Sequence, residues 1–142
     1  MQVKSILQGG VFSFLLMAAS YTDIKKREIP DTICIFIALI GLLRFSFLNL
    51  FGIIIAIPFL LGAVLKENSI GGGDIKLTAS AGIVLGFWKG IYGLIIGLSL
   101  LVLFYLCFIL ISKIKKKQVA RSLPMPLAPF LGLGFMIIYF IN

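Results

Sequence analysis

The carboxylates are the residues of this sequence best able to do chemistry. There are five of them, and the chain contains no histidine. The lack of histidine excludes Ser-His and Cys-His catalysis and His-ligated zinc sites. The two cysteines stand far apart inside apolar runs, which is typical of packing residues. Acid–base chemistry must therefore come from carboxylates or lysines. The carboxylates are Asp23, Glu28, Asp31, Glu67 and Asp74.

Asp74 directly follows a run of three glycines. Gly71, Gly72 and Gly73 carry no side chain that would hold a peptide backbone away, and they place Asp74 at the start of an apolar segment. If a second aspartate shares this site, the two carboxylates cannot both ionise cheaply, and the pair holds one proton near neutral pH. The ionised member can take a proton from water while the protonated member donates to a carbonyl. The sequence leaves open which aspartate would have which role.

The composition indicates the environment of these acids. The chain is 61% hydrophobic and 13% charged, with a mean hydropathy of +1.16. A soluble domain of 142 residues cannot bury so much apolar surface, so we predict one all-α membrane domain over residues 1–142. The net charge is +8, but no basic patch is interleaved with aromatic residues. We therefore expect the lipid bilayer, and not nucleic acid, as the surrounding partner.

The apolar runs predict about six transmembrane helices. A first span covers residues 3–21, and the bias of basic residues toward its C-terminal side favours a retained helix over a cleaved signal peptide. Residues 33–65 are too long for one crossing and predict two short spans that meet near residues 44–49. Residues 75–112 predict a short and a longer span that divide at residues 88–90. A last span follows residues 124–126 and extends to residue 141.

The basic residues predict the orientation of these spans. With both termini outside, ten lysines and arginines fall in the cytoplasmic loops and three on the other face. This is the distribution that the positive-inside rule favours. It predicts cytoplasmic loops at residues 23–32, 66–76 and 113–124. Asp23 and Asp74 would then lie at the same cytoplasmic boundary of the membrane.

Three segments resemble those of a known enzyme family. The segment Ile-Gly-Gly-Gly-Asp-Ile-Lys-Leu at residues 70–77 resembles the GxGDxK signature of the type IV prepilin peptidases, which are intramembrane aspartyl proteases. Residues 23–31 resemble the family's other aspartate segment, in which Ile-Pro-Asn/Asp follows the acid. Residues 124–130 are similar to its proline-rich C-terminal segment. The sequence begins directly at a span, without two CxxC pairs, so we expect the short form seen in tight-adherence pilus systems and archaeal preflagellin peptidases.

The resemblance implies an activity and its residues. The expected enzyme is an aspartic-type endopeptidase of the plasma membrane that needs no cofactor and no metal. Its expected substrates are prepilin-like or preflagellin-like single-span precursors, whose basic leader is cut at the cytoplasmic boundary. Asp23 and Asp74 are the implied catalytic pair. The implied substrate-binding or supporting residues are Gly71, Gly72, Gly73, Lys76, Pro30 and Asp31.

The supporting roles are less defined than the catalytic pair. We expect Asp31 to cap the second span after Pro30, although the resemblance implies that this acid lies beside the active site. Lys76 would either contact the acidic pair or a substrate carboxylate, or anchor the loop on the cytoplasmic side.

Three other functions are consistent with parts of the sequence. Lys76 and Ser80 stand four residues apart on one helical face, which is a spacing that a Ser-Lys protease could use. A small transporter or proton-relay subunit could use Asp23 and Asp74 as ion carriers, but neither acid lies deep within a span. A purely structural membrane protein leaves the Gly-Gly-Gly-Asp loop unexplained.

Overall fold

The structure, a computed structural model, describes residues 2–44, 46–66, 70–115 and 125–141. Within these ranges every regular element is a helix, which confirms the all-α prediction. Several residues used in the sequence interpretation lie outside the described ranges. They are Glu67, Lys116, Lys117, Arg121 and Pro124.

The described ranges contain six helical segments, the number that the apolar runs predict. A 3₁₀ turn, Leu42–Arg44, extends α2, and a 3₁₀ segment, Phe51–Ala56, joins α3 to α4 into one segment. The helices are α1 (Gln2–Lys26), α2 (Asp31–Gly41), α3 (Phe47–Leu50), α4 (Ile57–Leu65), α5 (Gly72–Leu85), α6 (Phe87–Ile114) and α7 (Ala128–Phe140).

One of the two predicted interruptions has the correct position. The chain leaves the helical path between Arg44 and Phe47, where the sequence predicts that two short helices meet. The interruption predicted at residues 88–90 is wrong, because those residues lie in the first turn of α6. The chain turns earlier, at Gly86, whose φ of 78° and ψ of 175° are accessible to glycine but strained for other residues.

Helix length alone supports fewer membrane crossings than six. Within the described ranges, three helical segments are long and apolar enough to cross a membrane, namely Val3–Lys26, Phe47–Leu65 and Phe87–Ile114. The helices α2, α5 and α7 have 11, 14 and 13 residues, which is less than the roughly 20 residues that a full crossing requires.

Hydrogen bonds show that helices of different length join the same two ends of the bundle. At one end, Arg44 Nη1 donates to Ser5 Oγ at 3.2 Å, and the Tyr139 hydroxyl donates to the carbonyl of Ser5 at 2.8 Å. At the other end, the backbone N–H of Ala128 donates to Asp23 Oδ2 at 3.0 Å. We call the end with Asp23 the site end and the end with Ser5 the distal end. Both α1 and α7 therefore extend from one end to the other.

Close packing holds α5 between these ends. Leu77 of α5 is fully buried in a core that α1 and α7 also supply. Gly82 of α5 lies against Gly52, and a Cβ atom on either glycine would collide with the backbone of the other. Small residues at such contacts allow helix backbones to approach, which favours helix association in membranes. This contact fixes the position of α5 and, with it, of its N-terminal turn. The fully buried apolar residues of α1 and α7 are Phe12, Leu16, Ala19, Ala128, Leu131 and Phe135.

Candidate active site

The end of α1 and the start of α5 enclose a cavity of about 220 Å³ at the site end. Asp23 lies in the last turns of α1, and Asp74 lies in the first turn of α5. The two aspartates are 51 positions apart, yet both line this cavity. The complete lining is Asp23, Arg27, Glu28, Ile29, Gly71, Gly72, Gly73 and Asp74.

Asp23 is buried and held by the start of α7. Only 7% of the residue is exposed, and Oδ2 accepts the hydrogen bond from the N–H of Ala128. Ala128 is the first residue of α7, so this N–H has no partner within its own helix. The positive end of the α7 dipole adds to the hydrogen bond. Together they hold the Asp23 carboxyl group in place at the start of α7.

Asp74 has a different environment from Asp23. Its Oδ1 atom is buried and makes no hydrogen bond within the described residues. Burial, followed by the negative charge of Asp23, raises the pKa of Asp74 from 3.8 to about 7. Asp74 precedes the apolar part of α5, so this carboxyl group lies at the helix end and not within a crossing. A carboxyl group with this pKa exchanges its proton near neutral pH.

The three glycines before Asp74 have different surroundings. A Cβ atom at Gly72 would meet nothing within 4 Å, so this glycine has an open side. A Cβ atom at Gly71 would lie 3.3 Å from Asp74 Oδ2, in tight contact with the carboxylate. A Cβ atom at Gly73 would lie 2.9 Å from the Cβ of Ile29, closer than side chains normally approach. The glycine run is therefore open at Gly72 and closely packed at Gly73.

A comparison of Gly73→Ala with Gly72→Ala tests this difference. Gly73→Ala should lower the melting temperature in detergent by several degrees, because Ile29 is buried and must move by a few tenths of an ångström. Gly72→Ala should change the melting temperature by less than about 1 °C, because the added methyl group meets no neighbour. Equal melting temperatures for the two variants would show that the contact between Gly73 and Ile29 is not a stabilising one.

The backbone at the end of α1 turns the chain back over the cavity. Arg27 has a φ of 56°, the only positive value for a non-glycine residue in the described ranges. Its N–H donates to the carbonyl of Asp23 at 2.9 Å, which closes the last turn of α1. A residue in this conformation costs about 1 kcal/mol or more and persists where the surroundings require it. The turn brings Glu28 and Ile29 across the start of α5.

The other predicted supporting residues lie beside the cavity and do not line it. Pro30 is the N-cap residue of α2, so Asp31 is the first helical residue and makes no capping bond. The prediction that Asp31 caps this helix is therefore wrong, because the preceding proline occupies the capping position. Asp31 Oδ1 instead pairs with Lys76 Nζ at 2.7 Å, with both side chains more than half exposed. This ion pair links α2 to α5, next to the turn that carries Asp74.

The serine and the lysine of the alternative Ser-Lys mechanism form hydrogen bonds with other groups and not with each other. The Ser80 hydroxyl is buried and donates to the carbonyls of Lys76 at 2.8 Å and Leu77 at 3.0 Å. The Lys76 ammonium group is bound to Asp31 and lies on the exposed side of α5. A serine nucleophile needs a base within hydrogen-bond reach. The geometry of these two side chains does not supply one.

Residues to which the sequence interpretation gave no role in the site also shape it. Ala128 contributes its backbone N–H, Arg27 and Glu28 line the cavity, and Ile29 packs on Gly73. The role of Ala128 depends on its backbone N–H and not on its side chain, so the residue type does not indicate this role. The prolines of segment 124–130 are its only sequence signal. Among the described residues, no group of three His, Cys, Asp or Glu side chains could hold a metal ion.

In the part of the chain that the structure describes, the protein is therefore a helical one with three segments long enough to cross a membrane and a cavity lined by two aspartates. The sequence profile of the type IV leader peptidase family matches residues 10–112. This region includes both Asp23 and Asp74, and the chain belongs to this family.

The chain is also similar to a curated bacterial protein. The prepilin leader peptidase/N-methyltransferase of Bacillus subtilis (strain 168) is 31% identical over 137 residues. The alignment covers 91% of this chain and 53% of that protein, so the chain spans about half the length of this relative. No solved structure gives a significant match.

Proposed function

We propose that this protein is a prepilin leader peptidase that uses Asp23 and Asp74 as an aspartic dyad. Its substrates are prepilin-like or preflagellin-like single-span precursors with a basic leader. The observation that carries this proposal is the shared cavity, in which two acids from distant parts of the sequence meet in different environments. Membership in the leader peptidase family supports the proteolytic activity.

The two environments suggest separate roles for the two acids. Asp23 Oδ2 accepts the N–H of Ala128 at the start of α7, so this carboxyl group is held as a hydrogen-bond acceptor. The buried Oδ1 of Asp74 lacks a partner, and the pKa of Asp74 is raised to about 7, which favours its protonated form. Asp23 is therefore the base and Asp74 the acid at the start of turnover. Dyads of this kind hold one proton between two carboxyl groups.

The reaction that follows is hydrolysis without a covalent intermediate. Asp23 takes a proton from a water molecule, and the resulting hydroxide attacks the scissile carbonyl carbon. Asp74 donates its proton to the carbonyl oxygen as the tetrahedral intermediate forms. When the C–N bond breaks, the leaving amine takes the proton that Asp23 received, and the hydroxyl of the intermediate returns its proton to Asp74. The pair is then ready for another turnover.

The direct test of this function is coexpression with a prepilin-like precursor. The mass of the precursor should decrease by the mass of its leader, with the cut just before the hydrophobic helix. The control is the same precursor without the enzyme. An uncut precursor, or a cut on the outer face of the membrane, would refute the proposed activity.

The proton on Asp74 predicts the dependence of cleavage on pH. The cleavage rate should fall about tenfold per pH unit above about pH 7, because the acid that protonates the carbonyl is then ionised. The folded protein binds this proton more tightly than the unfolded chain, so stability should also fall as pH rises from about 4 to about 7. Both profiles are measured in detergent, by cleavage rate and by melting temperature.

Asp74→Asn is the control for the stability profile. It removes the titrating group and should flatten the decrease in melting temperature over this pH range. If the wild-type melting temperature falls with pH but the cleavage rate does not, Asp74 does not act as the proton donor.

We also propose that all six helical segments cross the membrane, with both termini outside and the site end at the cytoplasmic face. The short helix α7 supports this topology, because it joins the same two ends as the 25-residue α1. Short spans are accommodated by local thinning of the bilayer and by flanking polar residues. The positive-inside distribution supports the orientation.

Single-cysteine labelling from either side of the membrane tests this topology. In a Cys34→Ala, Cys107→Ala background, cysteines at positions 66 and 118 should react only with reagent on the cytoplasmic side. Cysteines at positions 49 and 89 should react only with reagent on the outer side. An outer-side reaction at position 66 or 118 would refute the six-span topology and the cytoplasmic placement of the dyad.

A further inference from the structure

The distal end of the bundle contains a larger cavity than the site end does. Its volume is about 560 Å³, and it opens between the start of α1, the turn after α2, the α5–α6 junction and the end of α7. Ser5, Gln8, Ser46, Asn49 and Tyr139 give this cavity a polar lining. The proposed peptidase reaction uses none of these residues. A polar cavity of this size therefore needs another explanation.

The charged residues of the distal cavity are both cations. Arg44 and Lys89 line it, and no carboxylate is part of its lining. The described acids lie at or beside the site end, on the α1–α2 turn and the first turn of α5. Arg44 donates through Nη1 to Ser5 Oγ, and an arginine side chain offers five N–H donors in all. The cavity is suited to an anion, and its arginine to a phosphate group.

A second, apolar groove adjoins the distal cavity. Its volume is about 420 Å³, and its lining includes Leu48, Phe51, Ile54 and Trp88. The two spaces share Asn49, Leu85 and Lys89, so a single ligand can extend from one into the other. Such a ligand must be anionic at one end and apolar along the rest of its length.

We propose that the distal cavity and its apolar groove bind an anionic phospholipid, with the phosphate beside Arg44 and an acyl chain along Leu48 and Phe51. The position in the bilayer agrees with this ligand. Ser5 and Asp23 are 18 positions apart on α1, which corresponds to about 27 Å along the helix, close to the thickness of the hydrocarbon core. Trp88 is exposed beside Lys89, as aromatic residues commonly are at the membrane interface.

The proposal depends on the membrane location of the protein but not on its peptidase activity. A binding measurement therefore distinguishes the two proposals. Native mass spectrometry of the purified protein in detergent should show retained phosphatidylglycerol at concentrations where phosphatidylcholine is not retained. Arg44→Gln should weaken phosphatidylglycerol binding about tenfold, the typical effect of losing one charge-assisted contact.

Lys4→Gln is the matched control for the loss of charge. Lys4 is exposed at the same end of the bundle but does not line the cavity. This variant should bind phosphatidylglycerol within about twofold of the wild type. An equal loss in Lys4→Gln and Arg44→Gln would show a general attraction between charges and would overturn the site. Unchanged binding in Arg44→Gln would overturn it as well.

Two further measurements address the ligand and the fold. Inorganic phosphate should not displace phosphatidylglycerol at millimolar concentration, and efficient displacement would show a site for a free anion instead of a lipid. Leu48→Asp places a charge in the groove at a residue that is 74% exposed and lies in the first turn of its helical segment, outside the packed core. This variant should lose phosphatidylglycerol even if Arg44→Gln proves unstable. Retention of the lipid by Leu48→Asp would refute the acyl position.

Discussion

Replacing either Asp23 or Asp74 with asparagine should reduce cleavage on the order of a thousandfold or more, the range found when one member of a catalytic unit is removed. The amide has nearly the shape of the acid but cannot exchange the proton that the reaction requires. In Asp23→Asn the amide oxygen can still accept the N–H of Ala128, so the docking of α7 should persist. The measurement is the mass of a coexpressed precursor, with purified enzyme kinetics to give the residual rate.

Ser80→Ala is the matched control for the dyad variants. The Ser80 hydroxyl donates to backbone carbonyls of its own helix and lies away from the cavity lining, so cleavage should stay within a few fold of wild type. Membrane insertion and melting temperature should be measured for all three variants. Near-wild-type cleavage by Asp74→Asn together with loss in Ser80→Ala would replace the dyad with the Ser-Lys mechanism.

Replacing the residue before the scissile bond of the precursor should have the second largest effect. The family resemblance implies a glycine there, and its change to valine should reduce cleavage by about two orders of magnitude. In the proposed mode of binding the substrate backbone approaches Asp74 past Gly72, whose side is open. A branched side chain next to the scissile bond would hold that backbone away from the acid, whereas glycine would not. The rate should be measured with precursors that differ only at this residue.

An alanine precursor and a leader with fewer basic residues are the controls for this prediction. Alanine should give an intermediate rate, because its methyl group is the smallest addition. Fewer basic residues in the leader should change the rate less than the valine does, since the enzyme's own loops are basic and do not attract them. Equal rates for glycine and valine precursors would show that the glycine run does not select the substrate.

Much of the fold follows from patterns that are local in the sequence. The length of the apolar runs indicates the number of helical segments, and the polar residues near Arg44 mark one of the breaks. The sequence predicts a break at residues 88–90 and not at Gly86. The reason is that the charged Lys89 interrupts an apolar run, whereas Gly86 is one of many glycines. The conformation at Gly86 needs a positive φ, and composition does not show which glycine adopts it.

The candidate acids also follow from the sequence by itself. The chain has no histidine and five carboxylates, and the resemblance of residues 23–31 and 70–77 to the family's two aspartate segments implies Asp23 and Asp74 as the pair. The inference depends on residue types and on the predicted sides of the membrane. It does not need the three-dimensional packing.

Only the tertiary structure distinguishes the two acids from each other. The N–H that holds Asp23 comes from Ala128, 105 positions later, and the partner of Lys76 is Asp31, 45 positions earlier. Such contacts depend on how the helices pack, and the periodicity of a single segment contains no information about them. The sequence determined which residues are able to do the chemistry. Packing decided their environments, because burial and the start of α7 act on each carboxylate only after the helices have come together.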